Sequence, residues 1–344
     1  MNRSNEDAKK LYRISWVDHA RGFAIILVVY RHIVVGMRRS GIFVSDLMYS
    51  SQEVFYNFRM PIFFILSGVF IANSLQKKSY PAVLKDRTFT ILYPYLVWAV
   101  ILVSLEMLFS NVTNSKREWV DFTYIIIQPR AIDHLWYLFA LFNTTLLYLF
   151  LSKIIRSFLI HGLLTLVLHW LTFTYLLKGE SLISDAFYFY IYFFIGTILS
   201  PYLLSKRKSD MILNVNYLLW LLPLFLGGQY FWFKNSENID KFYFLFIIIN
   251  LIACYVIYIL SHHFAEKKQL NWLSYLGKYS LYIYILHVPI AAIFRIIFIR
   301  NNMTDTPWLV LATCWFAGLL LPIVIIRGLK KFGILWFFSL KPKL

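Results

Sequence analysis

Ten stretches of about twenty mostly apolar residues follow one another along the chain, at roughly 16–36, 55–75, 88–109, 135–152, 158–177, 185–204, 216–234, 242–262, 279–299 and 307–327. An α-helix of that length rises about 30 Å, the thickness of a bilayer's hydrocarbon core. Inside such a core every backbone N–H and C=O must find its partner within the protein, so runs of this length cross as helices. The fold class expected is an all-α integral membrane protein with about ten transmembrane helices, forming a single membrane-embedded domain over residues 1–344. Windows four and five are the hardest to separate, because 152–157 must make a short turn between them. Only 15% of the residues are charged and 60% are hydrophobic, with a mean hydropathy of +0.63. Soluble chains average roughly 25% charged and 45–50% apolar, so a soluble fold is not expected.

The polar start through Arg13 and the apolar run from Ile14 to Gly36 superficially resemble a secretory signal. Asp18 and Arg21 interrupt that run and no small-residue cleavage site follows, so it is read as an uncleaved first helix. There is no internal repeat, and the longest loop, at about 110–134, is too short to fold alone.

The chain carries 34 Lys and Arg against 17 Asp and Glu, a formal net charge of +17. These cations punctuate the apolar runs and form no stripe on a soluble face, so nucleic acid is not an expected partner and membrane lipid is. Cytoplasmic loops of membrane proteins are enriched in Lys and Arg. With the N-terminus inside, the inside segments hold 21 of the cations, the outside segments nine, and Arg21, Arg31, Arg59 and Arg295 fall within spans. Both termini, about 1–14 and 328–344, are therefore expected in the cytoplasm. Cys254 and Cys314 lie inside apolar runs and read as small buried hydrophobes.

Charged residues within a span are costly and are the default functional candidates. Asp18, Arg21, Arg31 and His32 lie in the first window, Arg59 near the outer end of the second, and His287 and Arg295 in the ninth. Arg21 and His32 are eleven positions apart, about three helical turns and 16 Å of rise, so they share one face at different depths. Asp18, three positions before Arg21, is placed to orient it. Arg59 enters at nearly the depth of His32, so the two could share a site. Arg31 points about 100° away from His32 and is expected to snorkel outward. Structural readings stand beside these: Asp18 and Arg21 as an interfacial ion pair, His32 as an interhelical hydrogen-bonding residue, His287 as a packing histidine, Arg87 as a topology charge, and Ser67-Gly68 as a small-residue packing notch. The adjacent His262 and His263 face different ways, so no metal site is expected there.

At these positions the sequence resembles acyltransferase family 3, polytopic membrane proteins that include O-acetyltransferases of bacterial polysaccharides. Ile14-Ser15-Trp16-Val17-Asp18 with Arg21-Gly22 and His32 resembles the family's opening segment. Phe58-Arg59-Met60-Pro61 running to Ser67-Gly68 is similar to its second-helix signature. Arg87 with Leu92-Tyr93-Pro94-Tyr95, His134-Leu135-Trp136-Tyr137-Leu138, and Leu276-Gly277-Lys278 running to His287 resemble later landmarks. Arg31 departs from the pattern, since a small or apolar residue is usual before the histidine.

The resemblance implies transfer of an acyl group, usually acetyl, from cytoplasmic acyl-CoA to a hydroxyl of a cell-envelope sugar or lipid-linked glycan, in the bacterial cytoplasmic membrane. Acetyl-CoA or another acyl-CoA would be a co-substrate, with no tightly bound cofactor and no metal. His32 would be the general base and Arg59 would steady developing oxyanion charge or hold the acceptor. Arg21 and Arg87 would hold CoA phosphates, with Asp18 orienting Arg21. Ser67, Trp136 and His287 are supporting candidates, with His287 expected to meet an outward acceptor less readily than His32. Direct transfer and a transient acyl-enzyme on His32 or Ser67 both remain open, as does the oligomeric state. The rival from another class is a non-enzymatic transporter or flippase of envelope glycans, in which the same charges line a permeation path.

Overall fold

The structure, a computed structural model, describes residues 2–110, 117–174, 177, 179 and 181–340, with side chains from Ser15 onward. Of the cations counted above, Lys116, Lys178, Lys341 and Lys343 lie outside the described residues. Every regular element among the described residues is helical.

The helices that build the site are α1 (Asn2–Arg39), α2 (Asp46–Val54), α3 (Arg59–Leu75), α4 (Tyr80–Arg87), α5 (Tyr93–Leu108), α6 (Trp136–Ile154), α7 (Phe158–Leu171), α8 (Ser181–Leu203), α9 (Leu218–Asn235), α10 (Tyr243–Glu266), α11 (Asn271–Lys278), α12 (Ser280–Arg300) and α13 (Pro307–Lys331). Nine helical stretches among the described residues are long and apolar enough to cross a membrane: Ser15–Arg39, Asp46–Leu75, Tyr80–Leu108, Pro129–Ile154, Ser181–Leu203, Lys206–Asn238, Tyr243–Glu266, Ser280–Arg300 and Pro307–Lys331. The one remaining sequence window, the fifth at 158–177, corresponds to α7, whose 14 residues rise about 21 Å, short of a full hydrocarbon core.

Helix α1 is the hub, packing against α3, α10, α11, α12 and α13. Lipid tails are as apolar as leucine, so helices in a bilayer associate through close packing, and small residues permit it. A Cβ on Gly22 would stand 2.2 Å from the Leu273 carbonyl oxygen, and one on Gly277 1.7 Å from that of Asp18. These two glycines let α11 press on the segment of α1 that carries Asp18 and Arg21. Gly68 and Gly196 do the same for α3 and α8, which confirms the packing notch read at Gly68. Leu105, Phe150, Leu224, Ile293 and Phe316 face outward instead, as lipid-contacting side chains do. Cys254 and Cys314 are buried free thiols.

Candidate active site

The C-terminal part of α1 carries His32 into a cluster that the sequence alone could not assemble. Its ring centroid lies 5.1 Å from that of His287 on α12 and 5.9 Å from that of His134, while His134 and His287 are 5.0 Å apart. His287 is fully buried and lines neither cavity that His32 lines, in keeping with its expected poorer access to an acceptor, but its place beside His32 corrects the expectation that it lies deeper. That expectation counted turns from the start of the ninth window and could not see how far α12 rises beside α1.

Backbone carbonyls hold two of these rings. Pro289 has no N–H, so the Ile285 carbonyl four residues earlier lacks its helical donor. His134 Nε2–H donates to that carbonyl at 3.1 Å. His287 Nδ1–H donates to the carbonyls of Ile283 and Tyr284 at 2.9 and 2.8 Å. A carbonyl only accepts, so the lone pairs fall on His134 Nδ1 and His287 Nε2, both buried and without a partner. His134 is delivered by a kink in the 3-10 segment Pro129–Leu135, where Asp133 adopts φ 74° and ψ −128°. Its carbonyl there accepts from the Tyr284 hydroxyl. His32 is the trio's partly exposed member, and it lines two cavities, one polar and one apolar.

The polar cavity, of about 400 Å³, also holds Arg31, Arg59, Asn57, Arg130 and Trp136. His32 and Arg59 do share a site, as their depths suggest. Arg59 is 5% exposed. Its guanidinium lies 4.6 Å over the Tyr56 ring, and that of Arg31 lies 4.2 Å over the same ring. Arg31 therefore turns inward, against the outward snorkelling expected of it. Its Nη1 donates to Gln52 at 2.5 Å and to Glu53 at 3.1 Å, partners supplied by α2, which folds over this end of the bundle. Arg130 makes a forked pair with Asp185, at 2.8, 2.8 and 2.6 Å, and lies 4.0 Å over the Trp136 indole. Asn57 is 7% exposed, with both amide atoms unpartnered.

Sequence reasoning treated Arg130 as a loop charge and did not single out Asp185, Tyr56 or Asn57. Asp185 did carry a signal, as a lone carboxylate just inside an apolar window.

The opposite end of α1 is looser. Arg21 Nη1 stands 3.7 Å from Asp18 Oδ1, and the arginine side chain is 35% exposed. Arg21 also lies 5.6 Å over Phe70, and both Arg21 and Arg87 are within electrostatic range of the Tyr137 hydroxyl. That hydroxyl is in hydrogen-bonding reach of Ser67. Arg87 borders a cavity of about 310 Å³ with Lys78, Asp86 and Thr90. It immediately precedes a π-helical turn, Thr88–Leu92, of the kind that often marks functional sites. The Tyr137 ring lies 5.4 Å from that of Tyr284, which reaches the histidine trio. A polar column thus joins Arg21 and Arg87 to His32 through Ser67, Tyr137 and Tyr284, and the two tyrosines were not foreseen.

Apart from this column, His262 lies between Asp210, 3.2 Å from Nε2, and Glu266, 3.9 Å from Nδ1. The ligand atoms of these three fall within 4.8 Å of one another. The carboxylates meet different ring nitrogens, which suits an ion-paired bridge better than one coordination point.

A family model described as an acyltransferase domain matches residues 14–327. The chain is also similar to nodulation protein NolL of Mesorhizobium japonicum, 26% identical over 132 residues, which is 38% of this chain and 34% of that protein. The matched region spans about a third of that relative's length. No solved structure matches the chain.

Proposed function

Because the chain belongs to the acyltransferase family whose model spans residues 14–327, we propose that it moves an acyl group, most simply acetyl, from cytoplasmic acyl-CoA to a hydroxyl of a cell-envelope sugar. The observation that carries this reading is the placing of His32, which ends a polar column from the Arg21 end and opens on a polar cavity at the other.

The donor's phosphates meet Arg21 and Arg87 on the side that the loop charges assign to the cytoplasm. The pantetheine arm, in this reading, follows the column past Tyr137, whose hydroxyl turns away from Ser67 to admit it. The acceptor sugar lies in the polar cavity, against the Trp136 face and with its hydroxyls on Asn57. His32 takes the proton of the attacking hydroxyl as the oxygen bonds to the thioester carbonyl carbon. Arg59 faces the oxyanion of the tetrahedral intermediate, with Arg31 beside it. Collapse breaks the carbon–sulfur bond, and the His32 imidazolium returns its proton to the departing thiolate, leaving an O-acyl sugar and free CoA. His287 and His134 hold the neighbouring volume rigid, each with its proton committed to a backbone carbonyl.

The decisive experiment follows label from acyl-labelled acetyl-CoA into envelope glycan, using the purified protein in vesicles. Transfer is expected from the wild type. Glycan movement across the vesicle without any acylation would replace this reading by the transporter.

A further inference from the structure

We propose that the apolar cavity beside His32 seats the hydrocarbon and phosphate of a lipid phosphate-linked acceptor, which enters sideways from the bilayer. This proposal rests on the acyl-transfer reading above and names the class of its acceptor.

The cavity holds about 450 Å³, within the range of ligand sites. Val35 of α1, Leu102 and Leu105 of α5, and Val288 and Ile293 of α12 form its apolar wall. Leu105 is 40% and Ile293 58% exposed, on helices that belong to spanning stretches, so the mouth faces hydrocarbon rather than water. Both residues stand near the helix ends that the charge pattern places outside, at the level of His32.

Most of the charges around the cavity are already matched. Arg31 pairs with Glu53 at 3.1 Å, Arg39 with Asp133 at 3.4 Å, and Glu106 with Arg117 at 2.6 Å. Arg295 is left over: among the described residues no carboxylate lies within 4 Å of it. Its place is built into α1, since a Cβ on Gly36 would stand 2.3 Å from Arg295 Nη1. A guanidinium whose neighbouring carboxylate, Asp133, is already paired with Arg39, at the edge of a cavity open to lipid, is costly unless a ligand brings an anion. Phosphate suits its planar fork, and the apolar wall suits the chain attached to that phosphate. The saccharide on the phosphate's other side then falls in the polar cavity, because His32 borders both.

The test uses a diazirine-bearing isoprenyl phosphate in phosphatidylcholine vesicles holding the intact protein, with labelled peptides located by mass spectrometry. Label is expected within 102–109 and 288–296. Unreactive isoprenyl phosphate should displace it, while an equal amount of phosphatidylglycerol should not. Arg295→Gln should lower labelling about tenfold, the loss of about 1.4 kcal/mol of phosphate binding, and Arg295→Lys should restore much of it. Leu105→Trp, which fills the mouth while leaving the charges in place, should also block it. Equal displacement by phosphatidylglycerol, or undiminished labelling of Arg295→Gln, would overturn the proposal. Labelling needs no turnover, so it reads lipid binding apart from acyl transfer. A wild type that labels here but transfers no acyl group would leave a lipid phosphate site and remove both its acceptor role and the acyl-transfer reading.

Discussion

The two ends of the first helix handle charge in opposite ways. At the Arg21 end the Asp18 and Arg21 pair is loose, at 3.7 Å, and the arginine side chain is 35% exposed. At the His32 end Asp185, itself buried, grips the half-exposed Arg130 through a fork of three contacts at 2.6 to 2.8 Å, and Arg59 is 5% exposed beneath Tyr56. A loosely held cation can exchange its partner for a mobile phosphate at little cost, whereas a chamber of fixed dipoles and guanidiniums serves a reacting centre because it need not reorganise. In the proposed function, one end captures the donor and the other carries the chemistry.

That contrast can be broken most decisively at His32. His32→Ala should lower acyl transfer by about 10²–10⁴-fold while leaving acyl-CoA affinity unchanged, as loss of a general base does. The readout is labelled glycan per membrane-inserted protein, and activity near the wild-type level would move the chemistry elsewhere. At the Arg21 end Arg21→Ala should do the reverse, weakening CoA binding about tenfold, or about 1.4 kcal/mol, with turnover at saturating donor little changed. A fall in saturated turnover at unaltered CoA affinity would show that the two ends do not divide their roles.

Asn57→Leu sharpens the view of the polar cavity beside His32. It removes an amide whose atoms have no protein partner, so the unliganded protein should lose nothing in thermal stability. The acceptor's KM should rise several-fold, in line with about 1 kcal/mol for a lost hydrogen bond. An unchanged KM would take the sugar away from this wall. Asp185→Asn tests the rigid pair and should have the smallest effect on chemistry. It should cost about 1–3 kcal/mol of stability, because Arg130 loses a charged acceptor. Detergent melting curves would check this, and a protein of wild-type stability would show that the pair is solvated in the bilayer.

Much of this architecture was legible in the chain itself. The helical class follows from apolar run lengths, because the bilayer leaves a long apolar segment no other way to satisfy its backbone. The common face of Asp18, Arg21 and His32 follows from helical periodicity, and Arg59 joins His32 because the second window re-enters at the level where the first leaves. The extent of α7 was less legible, since hydropathy measures how apolar a stretch is and not where its helix stops. Arg31 was misjudged because its direction on the helix was weighed without α2, whose Gln52 and Glu53 turn it inward.

By itself the sequence determined a membrane-embedded helical protein, a polar seam on the first helix and the family resemblance, all of which depend on local composition and spacing. Only the tertiary structure decided that His134, His287 and His32 meet, since they stand on segments more than a hundred residues apart and depend on where helices cross. It also turned a known residue into a reason: Pro289 lacks an N–H wherever it sits, but only packing brings His134 to the carbonyl that this leaves free.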